Sequence, residues 1–223
     1  ISHHPRGDEG RRRFRQEMLF DRLAQSGGLH DEHIDSLAEV IAAFHRDIPP
    51  AGVGTPYGTA AAIEAPLRQN FAQLRPLLDT PVEHAELDSI EQWSLREYTR
   101  CVEVGIFAAR RATGCVRECH GDLHLGNVAW LADTPDTAPR AIPFDGIEFA
   151  ANLRWIDVIS EVAFIVMDLH ARGFANQANR FLNRWLEQNG DLGFGGLALL
   201  DFYLVYRAMV RAKIARIRAS QSD

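Results

Sequence analysis

The 223 residues predict a mainly α-helical fold of the α+β class, carrying one small β-hairpin. Three observations carry that prediction. Apolar residues recur at helical spacing through most of the chain. Short β-prone runs occur in one region only, Asn127–Leu131 and Ala141–Phe144. Two acid-bearing loops adjoin those runs, so the reactive groups sit on loops held by a rigid framework.

The elements follow in order. From Phe14 the pattern is helical, and Ile34, Leu37, Ala38, Ile41 and Phe44 form one apolar stripe, with Asp and Glu early in the segment. Pro49–Gly58 is a loop rich in Pro and Gly. Helices are expected over Thr59–Leu78 and, as one long element, Val82–Thr113. The two strands are joined by the polar loop Ala132–Arg140. Helices resume over Trp155–Arg172, Ala175–Asn189 and Leu197–Ala219. No repeat or low-complexity tract interrupts this order.

Composition sets the outer bounds. A hydrophobic share of 46% and a charged share of 24% suit one large or two small globular domains. A net charge of −6 argues against binding to a nucleic-acid backbone, which calls for a basic excess. Cys101, Cys115 and Cys119 make an odd number with no secretory signal ahead of them, the pattern of a reduced, cytoplasmic protein. No uninterrupted apolar run approaches the ~18 residues of a bilayer span, so no membrane partner is expected. The chain opens on Ile, and its first ten residues are polar with paired histidines. Residues 1–13 are therefore expected to be a processed or appended segment, and 14–223 the folded unit.

The chemistry is concentrated in His120-Gly121-Asp122-Leu123-His124-Leu125-Gly126-Asn127 and, past the next strand, in Pro143-Phe144-Asp145-Gly146-Ile147-Glu148. Phosphoryl transfer needs a carboxylate near the acceptor hydroxyl and oxygen ligands for magnesium. Asp122 suits the first role, Asn127 and Asp145 the second. A polar turn before a strand would use the same residue types, but Asp145 after the following strand favours the chemical reading. A zinc hydrolase is the rival for this region: His120, Asp122 and His124 alternate, with Cys115 and Cys119 just upstream. The C-x-x-x-C spacing lacks a second ligand pair, and the two cysteines could simply pack on a helix end.

Other conspicuous residues have plainer readings. Trp93, Trp130, Trp155 and Trp185 fit core or core-edge positions. Arg207, Arg211, Lys213, Arg216 and Arg218 complement the end of the last helix. Arg11–Arg13 reads as a solvated run. The acids from Asp21 to Glu91 read as solvated helix faces.

The pattern H-G-D-L-x-x-x-N, with Asp145 downstream, resembles the catalytic loop of the aminoglycoside phosphotransferase and choline kinase branch of the protein-kinase-like fold. The resemblance implies the helical C-terminal lobe of that fold, its small hairpin carrying the catalytic and metal loops. It implies a magnesium-dependent kinase using ATP or GTP, with a small-molecule hydroxyl as acceptor. By this likeness Asp122 is the catalytic base, Asn127 a magnesium ligand, and Asp145 the group bridging metal to phosphates. His124 would stand near the phosphates. His120 would be the loop's structural histidine, and Glu148 the acid that follows the metal-binding Asp. Asp157 would hydrogen-bond the catalytic-loop backbone; an acid favoured at a helix N-terminus is the alternative. Leu125 departs from the Pro often found there.

The same resemblance implies parts that are not in this sequence. The family's small lobe covers the nucleotide and contributes a strand lysine, whereas the sole lysine here is Lys213, in the last expected helix. Neither G-x-G-x-x-G nor G-x-x-x-x-G-K-[ST] occurs. The expectation is a large lobe whose N-terminal β-lobe is missing or truncated, or supplied by a fused domain. The alternative is a non-catalytic kinase-like module that binds a metabolite or a partner domain.

Overall fold

The structure, a computed structural model, describes residues 16–221 apart from 133 and 135. The expected polar segment 1–13, with its Arg11–Arg13 run, and Phe14 lie outside the described residues.

The order is α1 (Phe20–Ser26), α2 (Asp31–Asp47), α3 (Ala60–Leu74), α4 (Pro81–Glu103), α5 (Ile106–Ala112), β1 (Val116–Glu118), β2 (Val128–Leu131), β3 (Arg140–Pro143), α6 (Ala151–Arg154), β4 (Trp155–Asp157), α7 (Val158–Ala171), α8 (Ala175–Asn189), α9 (Asp191–Phe194) and α10 (Leu200–Ser220). The stripe that predicted α2 is its buried face: Ile34, Leu37, Ala38 and Ile41 are fully covered, with Phe44 at the edge. That face packs on α8, whose Ala178, Phe181 and Trp185 are buried in turn. Covering one large apolar side chain contributes about 1.5–3 kcal/mol, so such stripes decide which way each helix turns.

α7 is the centre of the molecule. Every residue from Val158 to Leu169 is buried, between α8 on one side and α10 on the other. α10 also packs on α3 and α4, which form the second helical group. Within the stretch Leu192–Ser220 an 18-residue window reaches a mean hydropathy of 1.3, enough to match a membrane span by length and composition. No uninterrupted apolar run marks this stretch in the sequence, because charged residues interrupt it. Its helix α10 packs along protein elements and buries Arg207, as a core helix does.

The structure differs from the expected elements in two places. The long helix over Val82–Thr113 is two helices, because the chain turns at Gly105, whose φ of 70° is left-handed. Trp155–Asp157 is a strand instead of the first turn of a helix, and it pairs antiparallel with β1 in the register Val116↔Asp157. Cys115 and Cys119 therefore flank a strand, not a helix end, and both are buried free thiols. The anticipated hairpin is present as β2–β3, antiparallel, with Val128 opposite Pro143.

Candidate active site

The loop between β1 and β2 is positioned by its backbone. Gly121 has a φ of 85°, and a Cβ there would stand 2.8 Å from the Leu153 carbonyl oxygen. Only glycine fits both demands. Three buried side chains then hold the loop. Glu161 Oε1 accepts the Gly121 N–H at 2.8 Å, Arg207 donates to the Gly121 carbonyl at 3.1 Å, and Asp168 Oδ2 accepts the Leu125 N–H at 3.0 Å. Glu161 and Asp168 stand two helical turns apart on α7, so one rigid helix fixes both ends of the turn that carries Asp122. Arg207 is further fixed by the Ser160 carbonyl and by the Phe164 ring, 4.9 Å beneath its guanidinium.

The loop side chains order one another. Asn127 Nδ2 donates to the Asp122 backbone oxygen at 3.0 Å and to Asp122 Oδ2 at 3.2 Å. Its Oδ1 is thereby left as the acceptor of that amide. His124 Nδ1 accepts the Gly126 N–H at 3.1 Å, which leaves the Nε2 hydrogen directed to Asp122 Oδ2, 3.7 Å away. Burial keeps the His124 imidazole below its ordinary value of 6.5, against the opposing pull of Asp122. His120 joins the two acid-bearing loops: its Nε2 donates to the Phe144 carbonyl at 2.8 Å, and its own carbonyl accepts the Ile147 N–H at 3.0 Å. Asn127 and Phe144 face each other across the end of the hairpin through a 3.0 Å backbone bond. Asp145, the next residue, has a φ of 61°, a left-handed conformation that Asp tolerates better than most residues. Glu148 is exposed, with its backbone oxygen held by Arg154 at 2.8 Å.

A cleft of about 680 Å³ opens between these loops and helices α3 and α10. Asp122, His124, Asp145 and Glu148 all reach it. His120 and Asn127 stand behind its wall. Asp122, Asp145 and the Asn127 Oδ1 are hard oxygen donors of the kind magnesium takes, and of the three the two carboxylates line the cleft.

One sequence reading changes, and two others are sharpened. Asp157 does not bond the catalytic-loop backbone. Its carboxylate pairs with Arg110 at 2.5 and 2.7 Å and caps α7 through the Ile159 N–H at 3.0 Å, the helix-terminus alternative. Glu161, one turn later, makes the loop bond instead. The zinc ligands do not converge: among the described residues the one compact group of such side chains is His45, Cys119 and Glu161, without Cys115, His120, Asp122 or His124. Trp155 lines the cleft and stacks on Tyr57, with centroids 5.4 Å apart and planes at 8°.

Glu161, Asp168 and Arg207, which hold the backbone of the candidate loop, are the positions that pattern reading missed. A signal for the first two was present: an acid inside the apolar run Val158–Leu169 must find a buried partner.

No family model matches the chain. It is similar to uncharacterized proteins of Mycobacterium bovis and of two strains of Mycobacterium tuberculosis. Each is 31% identical over 210 residues, covering 94% of this chain and 40% of the relative. The chain thus spans about two fifths of the length of the curated relatives it matches. A solved glucosamine kinase in complex with glucosamine, ADP and inorganic phosphate superposes with a TM-score of 0.53 at 18% identity, covering 87% of this chain and 50% of that one. That likeness shows a kinase-like fold, here mainly helical with two small antiparallel sheets.

Proposed function

We propose that residues 14–223 form the large lobe of a small-molecule kinase resembling the aminoglycoside phosphotransferases, with the nucleotide-covering lobe supplied from outside these residues. The observation that carries the reading is the convergence of Asp122 and Asp145 on one cleft, from two loops joined by His120. The hydroxyl of the acceptor attacks the γ-phosphorus of ATP or GTP, its proton passes to Asp122, and the bond to the β-phosphate oxygen breaks. Asn127 and His124 orient the Asp122 carboxylate from two sides, and the His124 ring stands near the phosphates. Asp145 and the Asn127 Oδ1 would hold magnesium, which when bound offsets charge on the phosphate oxygens. Glu148 adds negative charge at the cleft. Nucleic acid and membrane are not partners in this reading, and its setting is the cytoplasm.

Replacing Asp122 with Ala tests the base directly. Turnover should fall by roughly 10²–10⁴-fold, the usual contribution of a positioned proton acceptor, with nucleotide affinity retained. Unchanged turnover in both Asp122→Ala and Asp145→Ala would remove the assignment.

One observation favours a second reading, a non-catalytic binding module. Lys213, the only lysine, bonds Asn70 and Gln73 through α10, so this chain brings no lysine to a strand above the phosphates. Absence of Mg·ATP and Mg·GTP binding by calorimetry, in the intact protein, would favour that module.

A further inference from the structure

The charges lining the cleft are segregated. Its carboxylates belong to residues between 122 and 157, whereas its bases, Arg207, Arg211, Lys213 and Arg218, all lie on α10. Arg207 and Arg211 occupy the stripe of α10 that runs toward the catalytic loop, where Arg207 is committed to the Gly121 and Ser160 carbonyls. Lys213 lies on the neighbouring stripe with Tyr206 and Val210, over α3.

Lys213 donates to Asn70 Oδ1 at 2.6 Å and to Gln73 Oε1 at 3.0 Å. Both partners are neutral amides, and among the described residues no carboxylate pairs with it. An ammonium has three donors, so one remains. A lysine only donates, so the Asn70 oxygen must face it and the Asn70 Nδ2 must point elsewhere. That Nδ2 is buried on a residue 4% exposed and makes no well-formed hydrogen bond, with the Tyr206 hydroxyl facing Asn70. Burying an amide donor without a partner opposes folding unless something binds it. The cleft therefore holds, side by side, an uncompensated ammonium and an unused amide donor, both on its lining. Burial also lowers the Lys213 ammonium below its ordinary value of 10.5, which an incoming negative charge would reverse.

We propose that Asn70 Nδ2 and Lys213 Nζ form a binding corner for an oxyanion of the acceptor molecule, which makes the substrate a hydroxylated carboxylate or phosphate ester and not an amine. A cationic acceptor would meet like charge along α10. The proposal rests on the phosphotransfer reading only in taking the bound molecule as the acceptor.

Because Lys213 is the only lysine of these 223 residues, selective ¹³Cε-lysine labelling gives it a resonance of its own, assigned by its loss in Lys213→Arg. The labelled protein is titrated without nucleotide, at constant ionic strength, with glycolate, inorganic phosphate and ethanolamine. A saturable shift with glycolate identifies a carboxylate site, and one with inorganic phosphate a phosphate site. Ethanolamine should give none, and Asn70→Leu should weaken the anion by roughly tenfold, the worth of one charge-assisted hydrogen bond. The idea is overturned if neither anion saturates, if ethanolamine does, or if only Mg·ATP moves the resonance, which would assign the corner to the nucleotide. No arm depends on turnover, so loss of the Asp122 assignment would leave the result standing.

Discussion

His45 and Glu161, 116 residues apart in the chain, share a 2.8 Å hydrogen bond at a point that neither side chain exposes to solvent. The direction of that bond is fixed by a third residue. Trp185 Nε1 can only donate, and it does so to His45 Nδ1 at 3.1 Å, leaving the His45 Nε2 hydrogen for Glu161. The other oxygen of Glu161 holds the Gly121 N–H. A buried chain therefore runs from α8 through α2 and α7 to the His120–Asn127 loop.

Glu161→Gln should destabilise the protein by about 1–3 kcal/mol at neutral pH, because the new amide NH2 must face either the His45 Nε2 hydrogen or the Gly121 N–H and leave that buried donor without an acceptor. Burial opposes ionisation of Glu161, but the hydrogen bonds from His45 and Gly121 outweigh it and hold the carboxyl below its ordinary value of 4.5. A depressed carboxyl contributes stability above its unfolded value and loses it as pH falls through the folded one. The gap between wild type and Glu161→Gln in urea denaturation should thus be full above pH 4.5 and narrow below it. A gap that widened in acid would show the sign to be wrong.

Gly121→Ala should cost about 1–2 kcal/mol in left-handed strain alone, with further loss from the 2.8 Å approach to the Leu153 oxygen. Turnover should fall with it, since the Asp122 carboxylate follows the same backbone. Denaturation and activity are measured on the same preparation. An alanine protein of full stability and full activity would separate the glycine from the site.

Asp157→Asn distinguishes the observed role from the one that motif comparison assigned. The variant leaves Arg110 buried without its counter-charge, at a cost of about 3 kcal/mol or more. Turnover of the folded fraction should be unchanged, because the loop is held by Glu161. A folded Asp157→Asn protein with lost turnover would return Asp157 to the catalytic machinery.

What was legible in the sequence followed from repetition. The α2 stripe spans several turns, and the H-G-D loop, the hairpin and Asp145 occur in a spacing that places them at one end of a strand pair, as observed. What was not legible depended on partners distant in the chain. Strands β1 and β4 have three residues each, too few for alternation to register, and exist because each is the other's partner. Asp157 and Glu161 are both acids near the start of α7, and only the packing of Arg110 against one and His45 against the other separates their roles. Arg207 looked like one of a basic group at a helix end. Its burial beneath the His120–Asn127 loop depends on how α10 crosses α7.

The central claim is that Asp145 belongs to a metal–nucleotide site, and calorimetric titration of Mg·ATP into the intact protein and its Asp145→Gly variant tests it most directly. Glycine relieves the φ of 61°, so the variant should be more stable by about 1 kcal/mol. The account predicts that this more stable protein loses Mg·ATP binding that the wild type shows. Equal binding by both proteins would contradict it.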